Sequence, residues 1–203
     1  MAYRNWQWFP TFKMSTNKTL MDLAYVAIPP KESSEWLAVA EDKMVVTLVQ
    51  HDITPHVTLK HFIDVPTFHV LAHAILLSTR HFIELALPGE APAADKTSVT
   101  WTDYKGTDTA RGVISNRLTV TFSLEAGRKA PWILAIEEGP GTKTATGAVM
   151  PKRGEATRKV LIYCTTAQIR ALALMGLEQS QAQTTIWAWR HQEDAKGRPD
   201  VTA

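Results

Sequence analysis

Cysteine is almost missing from this 203-residue chain: Cys164 stands alone, which excludes an intramolecular disulfide and any zinc cluster built on several thiolates. Its setting, VLIYCT, reads as that of a small buried hydrophobe rather than a nucleophile. Long apolar runs are missing too. The best candidate, Val65 to Leu87, is interrupted by His69, His73, Arg80, His81 and Glu84, whereas a spanning helix needs roughly 20 apolar residues. The first residues lack the charged-then-apolar pattern of a secretory signal. These absences lead to the expectation of a soluble protein, neither secreted nor membrane-bound, in the cytoplasm or an organellar or nuclear equivalent.

Catalytic constellations are equally scarce. Glu137 and Glu138 are adjacent, so on a strand they point to opposite faces and cannot work as a pair. GPGTKTATG (139–147) superficially resembles a phosphate-binding loop, but that loop needs glycine just before the lysine and again five positions earlier. Thr142 and Glu137 occupy those places, and a β-hairpin loop is the better reading. His69 and His73 have the four-residue spacing with which one helix face holds a metal ion. Val70 stands where a metalloprotease would carry its general base. Six of the seven histidines lie between 51 and 81, and His51, His56, His61 and His81 are the residues that could complete such a site. Core or interface packing is the simpler role for them. The sequence names no cofactor, and the expectation is a binding protein rather than an enzyme.

What is present is a 45% hydrophobic composition, enough for a substantial core, and a segregated charge. Residues 31–103 carry five Lys/Arg against ten Asp/Glu, and residues 104–170 carry eleven against five. The total of +2 hides a basic second half, which attracts polyanions unless the two halves neutralise each other. Aromatic residues concentrate at the start: RNWQWFPTFK (4–13) alternates Trp6 and Trp8 with polar neighbours as a strand would. One face of it can cover an open core edge, and base stacking is the rival role.

Periodicity predicts strands at 20–28, 35–41, 44–50 and 56–63, then a helix starting after Asp64 with an early proline. A linker, PGEAPAAD (88–95), marks a seam. Strands follow at 98–105, 113–125, 130–139 and 158–165, then a helix capped by Thr165 or Thr166 and dense in Ala, Leu and Gln. Four strands and a helix therefore occur twice. The expected fold class is α+β, two repeated units of four antiparallel strands and a helix packed as one pseudo-twofold domain. The expected division is an aromatic segment (1–17), a first unit (18–87), a linker (88–97), a second unit (98–189) and a disordered polar tail (190–203).

This duplicated topology resembles the Whirly class of single-stranded-DNA-binding proteins, the kinetoplastid guide-RNA-binding proteins and, more distantly, the Pur-alpha repeats. Tyr104, Lys105 and Gly106 echo the Whirly strand motif, lysine-glycine-lysine-alanine-alanine-leucine, although the remainder of it is not here. The resemblance implies two antiparallel sheets, helices that hold halves or subunits together, and nucleic acid laid across strands and loops.

Single-strand binding needs cations along a phosphate track and rings on which bases stack. The second half offers Trp101, Tyr104, Lys105 and Arg111 in one stretch, then Arg128, Lys129 and Trp132. Lys143 follows, and MPKRGEATRK adds Lys152, Arg153, Arg158 and Lys159. The expected partner is single-stranded DNA or RNA bound with little sequence preference, by a protein that forms homo-oligomers. The alternatives are an assembly protein whose helix faces, Ala171, Leu172 and Met175, drive oligomerisation, and a histidine-dependent metalloenzyme.

Overall fold

Period-two alternation settles the strands. In HVTLKHFI, Leu59, His61 and Ile63 turn to one side and are buried, while Thr58 and Lys60 turn to the other and are exposed. The computed structural model describes residues 7–28, 42–110, 112–145, 149–152 and 157–196. Its first sheet has the order β1 (Gln7–Ser15), β2 (Thr19–Ala27), β3 (Lys43–Gln50), β4 (Val57–Asp64), all antiparallel neighbours. After β4 come α1 (Val65–Leu77) and α2 (Thr79–Ala86). The second sheet is built from β5 (Ser98–Thr109), β6 (Gly112–Ser123) and β7 (Trp132–Lys143). The far edge of β7 is shared by two strands, the short β8 (Val149–Pro151) beside its end and β9 (Arg158–Cys164) beside its start. Helix α3 (Thr166–Lys196) closes the chain. The fold is thus α+β, with strands followed by helix in both halves: four strands with α1 and α2, then four strands plus the short β8 with α3. Among the described residues, no helix is long and apolar enough to cross a membrane.

Several expectations change in detail. The aromatic N-terminal segment is not a separate piece, because residues 7–15 form the edge strand of the first sheet. The strand expected at 35–41 lies outside the described residues, as does Trp6. The helix after Asp64 breaks at Ser78, whose extended backbone ends α1 and whose hydroxyl accepts the His81 N–H to start α2. Asp64 occupies the N-cap position of α1 without capping it, because its carboxylate is taken by two lysines. Thr165 caps α3: its hydroxyl accepts from the Gln168 N–H at 3.2 Å while Gln168 Oε1 accepts from the Thr165 N–H at 2.8 Å, a reciprocal capping box. Helix α3 continues to Lys196, past the expected start of a polar tail.

One core serves both units. Met21, Leu23, Tyr25, Met44, Leu48 and Leu59 from the first sheet cluster with Leu118, Leu134, Ile136 and Ile162 from the second. Phe68 of α1 and Leu172 and Leu177 of α3 belong to the same cluster. Helices α1 and α3 approach closely at Gly176, where a Cβ would run into the Phe68 ring. Cys164 is fully buried, and burial pushes its thiol up to about 12, as its apolar setting implies. Trp132 is 2% exposed. It meets Phe82 and Phe122 with ring centroids 4.8 Å away in each case, and its indole N–H donates to Thr166 Oγ1 at 3.3 Å. Replacing Trp132 with alanine would empty this joint between β7, α2 and the start of α3. Trp132→Ala is expected to cost about 3–5 kcal/mol of stability, read from the midpoint of urea unfolding.

Candidate nucleic-acid interface

Where the sheets meet, the apolar core gives way to a polar latch. His61 is 1% exposed, and both ring nitrogens face acceptors, Nδ1 to Asn116 Oδ1 at 2.5 Å and Nε2 to Asp103 Oδ2 at 2.8 Å. The Asn116 amide is held in that orientation by donating to the Lys60 carbonyl at 3.1 Å. Alongside, Lys43 and Lys105 each approach Asp64 at 2.5 Å. Burial would raise the Asp64 carboxyl, but the hydrogen bonds and charges of the two lysines outweigh it and hold the group below its ordinary value. Lys105, expected on a phosphate track, is instead a tie between β5 and the end of β4.

Twelve residues of the second half were expected to form the interface, and the fold separates them. Trp132 is core and has no face for a base. Trp101 points inward opposite Val120 and packs on the core's edge. Arg158 faces the opposite side of β9 from Lys159 and pairs with Glu138. Arg128 and Lys129 lie in the β6–β7 turn, whereas Lys143 and Lys152 lie at the other end of β7. Twelve residues of strand keep those ends roughly 35 Å apart, so these loops cannot share one short site. Lys129, Lys143 and Lys152 are exposed, and Arg111 and Arg153 lie outside the described residues. The GPGTKTATG stretch is strand through Lys143, and Gly141 and Gly106 leave the space that Val149 of β8 fills.

The outer face of the second sheet brings a different set together. Strand register places Tyr104, Arg117, Glu137 and Lys159 in one row across β5, β6, β7 and β9. Glu137 accepts from Arg117 and lies 2.7 Å from Lys159 Nζ. Burial alone would raise Glu137, but the two cations prevail and hold it below its ordinary value. Arg117 is correspondingly raised: burial opposes its charge, and the bonds to Glu137 and the Tyr104 hydroxyl overcome that. Tyr104 keeps 38% of its surface exposed.

Four residues along β9 from Lys159, on the same face and beyond Leu161, comes Tyr163, 47% exposed, with the Arg128 guanidinium 5.9 Å from its ring centre. Lys159, Leu161, Ile162 and Tyr163 form one wall of a groove of about 650 Å³. The other wall is Gln50 and the β1–β2 turn, Thr16 to Thr19. That turn is fixed by its own bonds: the Thr19 N–H donates to Thr16 Oγ1 at 3.0 Å, and the His51 N–H donates to the Lys18 carbonyl at 2.9 Å. Thr19 Oγ1 crosses to the Leu161 carbonyl at 3.1 Å and joins the two walls. The groove therefore has a ring, a lysine on each wall and an arginine beyond the ring.

Sequence reasoning missed Tyr163, Lys18, Asn17 and Gln50. The signal for Tyr163 was present in RKVLIYC, since buried Val160, Ile162 and Cys164 force Lys159, Leu161 and Tyr163 outward. Nothing local could pair β9 with a turn some 140 residues earlier. Trp8 sits on the outer face of the first sheet, edge-on to Phe62 at 6.3 Å with Lys60 Nζ 4.9 Å from its ring centre. The rings of this strand that pack against the core are Phe9 and Phe12, whereas Trp8 lies on the other face. His69 and His73 do share a helix face, 6.5 Å between ring centres, but His69 Nε2 is engaged by Ser180 Oγ at 2.6 Å. Burial and the neighbouring His73 lower the His69 pKa. Among the described residues, no three His, Cys, Asp or Glu side chains gather as a metal site would require.

Neither a protein-family model nor a curated protein matches the sequence. Solved structures do. The chain is similar to WHY1 from Arabidopsis thaliana, with a TM-score of 0.54, 8% identity, and 97% of this chain and 98% of that one covered. It is similar also to the plant transcriptional regulator PBF-2, with a TM-score of 0.51, 10% identity, and 95% and 98% covered. The fold is Whirly-like over nearly the whole chain.

The Glu137 row gives a pH prediction. A carboxylate whose folded pKa lies below its ordinary 4.5 stabilises the fold fully above that value, and the contribution disappears as pH falls through the lower folded value. Wild-type thermal stability should therefore decline below about pH 4.5, and Glu137→Gln should be less stable at pH 7 with a shallower decline, as followed by circular dichroism melts.

Proposed function

We propose that this protein binds single-stranded nucleic acid along the groove between β9 and the β1–β2 turn. The observation that carries this reading is Tyr163: a large aromatic ring, half exposed on a strand, between Lys159 and Lys18 on the groove walls and Arg128 at its rim. Bases stack on such rings for roughly 1–3 kcal/mol each, and phosphates follow the cations. Lys159 and Arg117 share one carboxylate, Glu137, so the row is net positive. Arg128 also contacts Glu125 at 3.3 Å, a largely exposed pair that leaves the guanidinium available to a phosphate. The Whirly-like fold supports the same reading, because that class binds single-stranded DNA and one solved neighbour is a plant transcriptional regulator.

A second reading coexists with the first. Val70 and Leu77 of α1 and Leu174 and Met175 of α3 are exposed, an apolar helix surface that supports self-association. Leu172, expected on that surface, instead points into the core.

Two measurements test these readings. Anisotropy titrations with labelled oligo-dT should give nanomolar-to-micromolar binding that weakens steeply with salt. Tyr163→Ala should lower the affinity about 5- to 100-fold, in line with the loss of one stacked base. The pair Lys18→Ala and Lys159→Ala should flatten the salt slope by about 1.4, at ~0.7 per lost phosphate contact on a single strand. Salt-independent binding, or none, would exclude the groove. Sedimentation of Leu174→Glu with Met175→Glu should show a smaller species than wild type if the helix surface assembles copies, and an unchanged one otherwise.

A further inference from the structure

The groove contains more than ring and charge. Asn17, in the β1–β2 turn, and Gln50, at the end of β3, both line it, and neither side-chain amide has a hydrogen-bond partner within the protein among the described residues. Each amide offers one acceptor and a two-hydrogen donor. Lysines alone would suffice for a sequence-blind phosphate track, and a ring alone for stacking, since every base has a π-face. Amides add what those lack, because the edge of an unstacked base presents a neighbouring donor and acceptor that an amide can match in two bonds.

We infer that the groove reads one base: a nucleotide stacked on Tyr163 turns its edge toward Gln50 and Asn17, and its flanking phosphates lie against Lys159 and Lys18. The inference rests on the nucleic-acid reading above and deepens it, replacing sequence-blind binding with a preference at a single position. Two features make the wall able to discriminate. The turn that carries Asn17 is held by Thr16, by the backbone of His51 and by the Thr19 bond to β9, so the amide approaches from a fixed platform. Gln50 is half buried on the groove's wall, where a base stacked on Tyr163 would cover its amide and a mismatched edge would leave that amide without a partner.

The experiment is a comparison of labelled oligo-dA, oligo-dC and oligo-dT by anisotropy at one salt concentration. Wild type should bind the best and the worst of these with affinities at least about fivefold apart, the lower end for a two-bond amide–base match. Gln50→Ala with Asn17→Ala should shrink that spread to under about twofold, and Gln50→Glu, which keeps the shape but removes the donor, should change the order of preference. Circular dichroism melts check that each variant is folded. Equal wild-type affinities, or a spread that survives in the folded double variant, would overturn base reading while leaving the Tyr163 and lysine track in place. Failure of every oligomer to bind would instead sink the nucleic-acid reading itself.

Discussion

The inner faces of the two sheets have only each other and the helices to hide behind. Each sheet is apolar on one side, with Met21, Leu23, Met44 and Leu48 on the first and Leu118, Leu134, Ile136 and Ile162 on the second. Removing those side chains from water is the main driving force available to a chain with no disulfide. Every other placement follows from that contact. It turns the opposite face of the second sheet outward, with its threonines, tyrosines and charged row, and it brings the edge strand β9 against the turn of the first hairpin.

The boundary of that contact is polar for a related reason. At the rim of that contact, side-chain groups lose water without reaching the apolar centre, and each must find a partner. His61 between Asn116 and Asp103, and Asp64 between Lys43 and Lys105, are the solutions found here. The consequence for function is subtractive. One charge that a sequence reader assigns to a ligand, Lys105, is consumed in joining the two units, whereas Arg128, Arg158 and Lys159 pair with carboxylates of their own unit.

An exposed ring, Tyr163, lies along β9 beside cations that already share carboxylates. An edge strand of a sheet needs protection from unwanted pairing, and β9 has a cross-bond from Thr19 to the Leu161 carbonyl together with charged and aromatic side chains on its outward face. The same features that blunt the edge make it a suitable place for an extended polyanion, because the ring of Tyr163, the lysines and the uncommitted amides of Asn17 and Gln50 all reach one groove. A similar economy appears on the first sheet, where Trp8 and Phe62 cover an outer face that would otherwise expose Val26 and Val45.

Local physics made much of this legible in the sequence. Alternation identified most strands within a residue or two, a threonine at 165 or 166 placed the start of α3, the repeated order of strands and helix pointed to the Whirly-like fold, and the apolar setting of Cys164 foretold its burial. These signals depend on neighbours a few residues apart. The site was less legible because its parts are not neighbours: alternation can say that Tyr163 faces away from Ile162 and Cys164, but the β7–β9 register is needed to set it on the opposite face from Trp132. Only the tertiary structure decided that Trp132 fills a joint, that Lys105 belongs to Asp64, that the basic loops lie at opposite ends of β7, and that Lys18 and Tyr163 share a groove. The reason is that burial and ion pairing are properties of the packed assembly, set by which surfaces exclude water together, and no short window of sequence contains both surfaces.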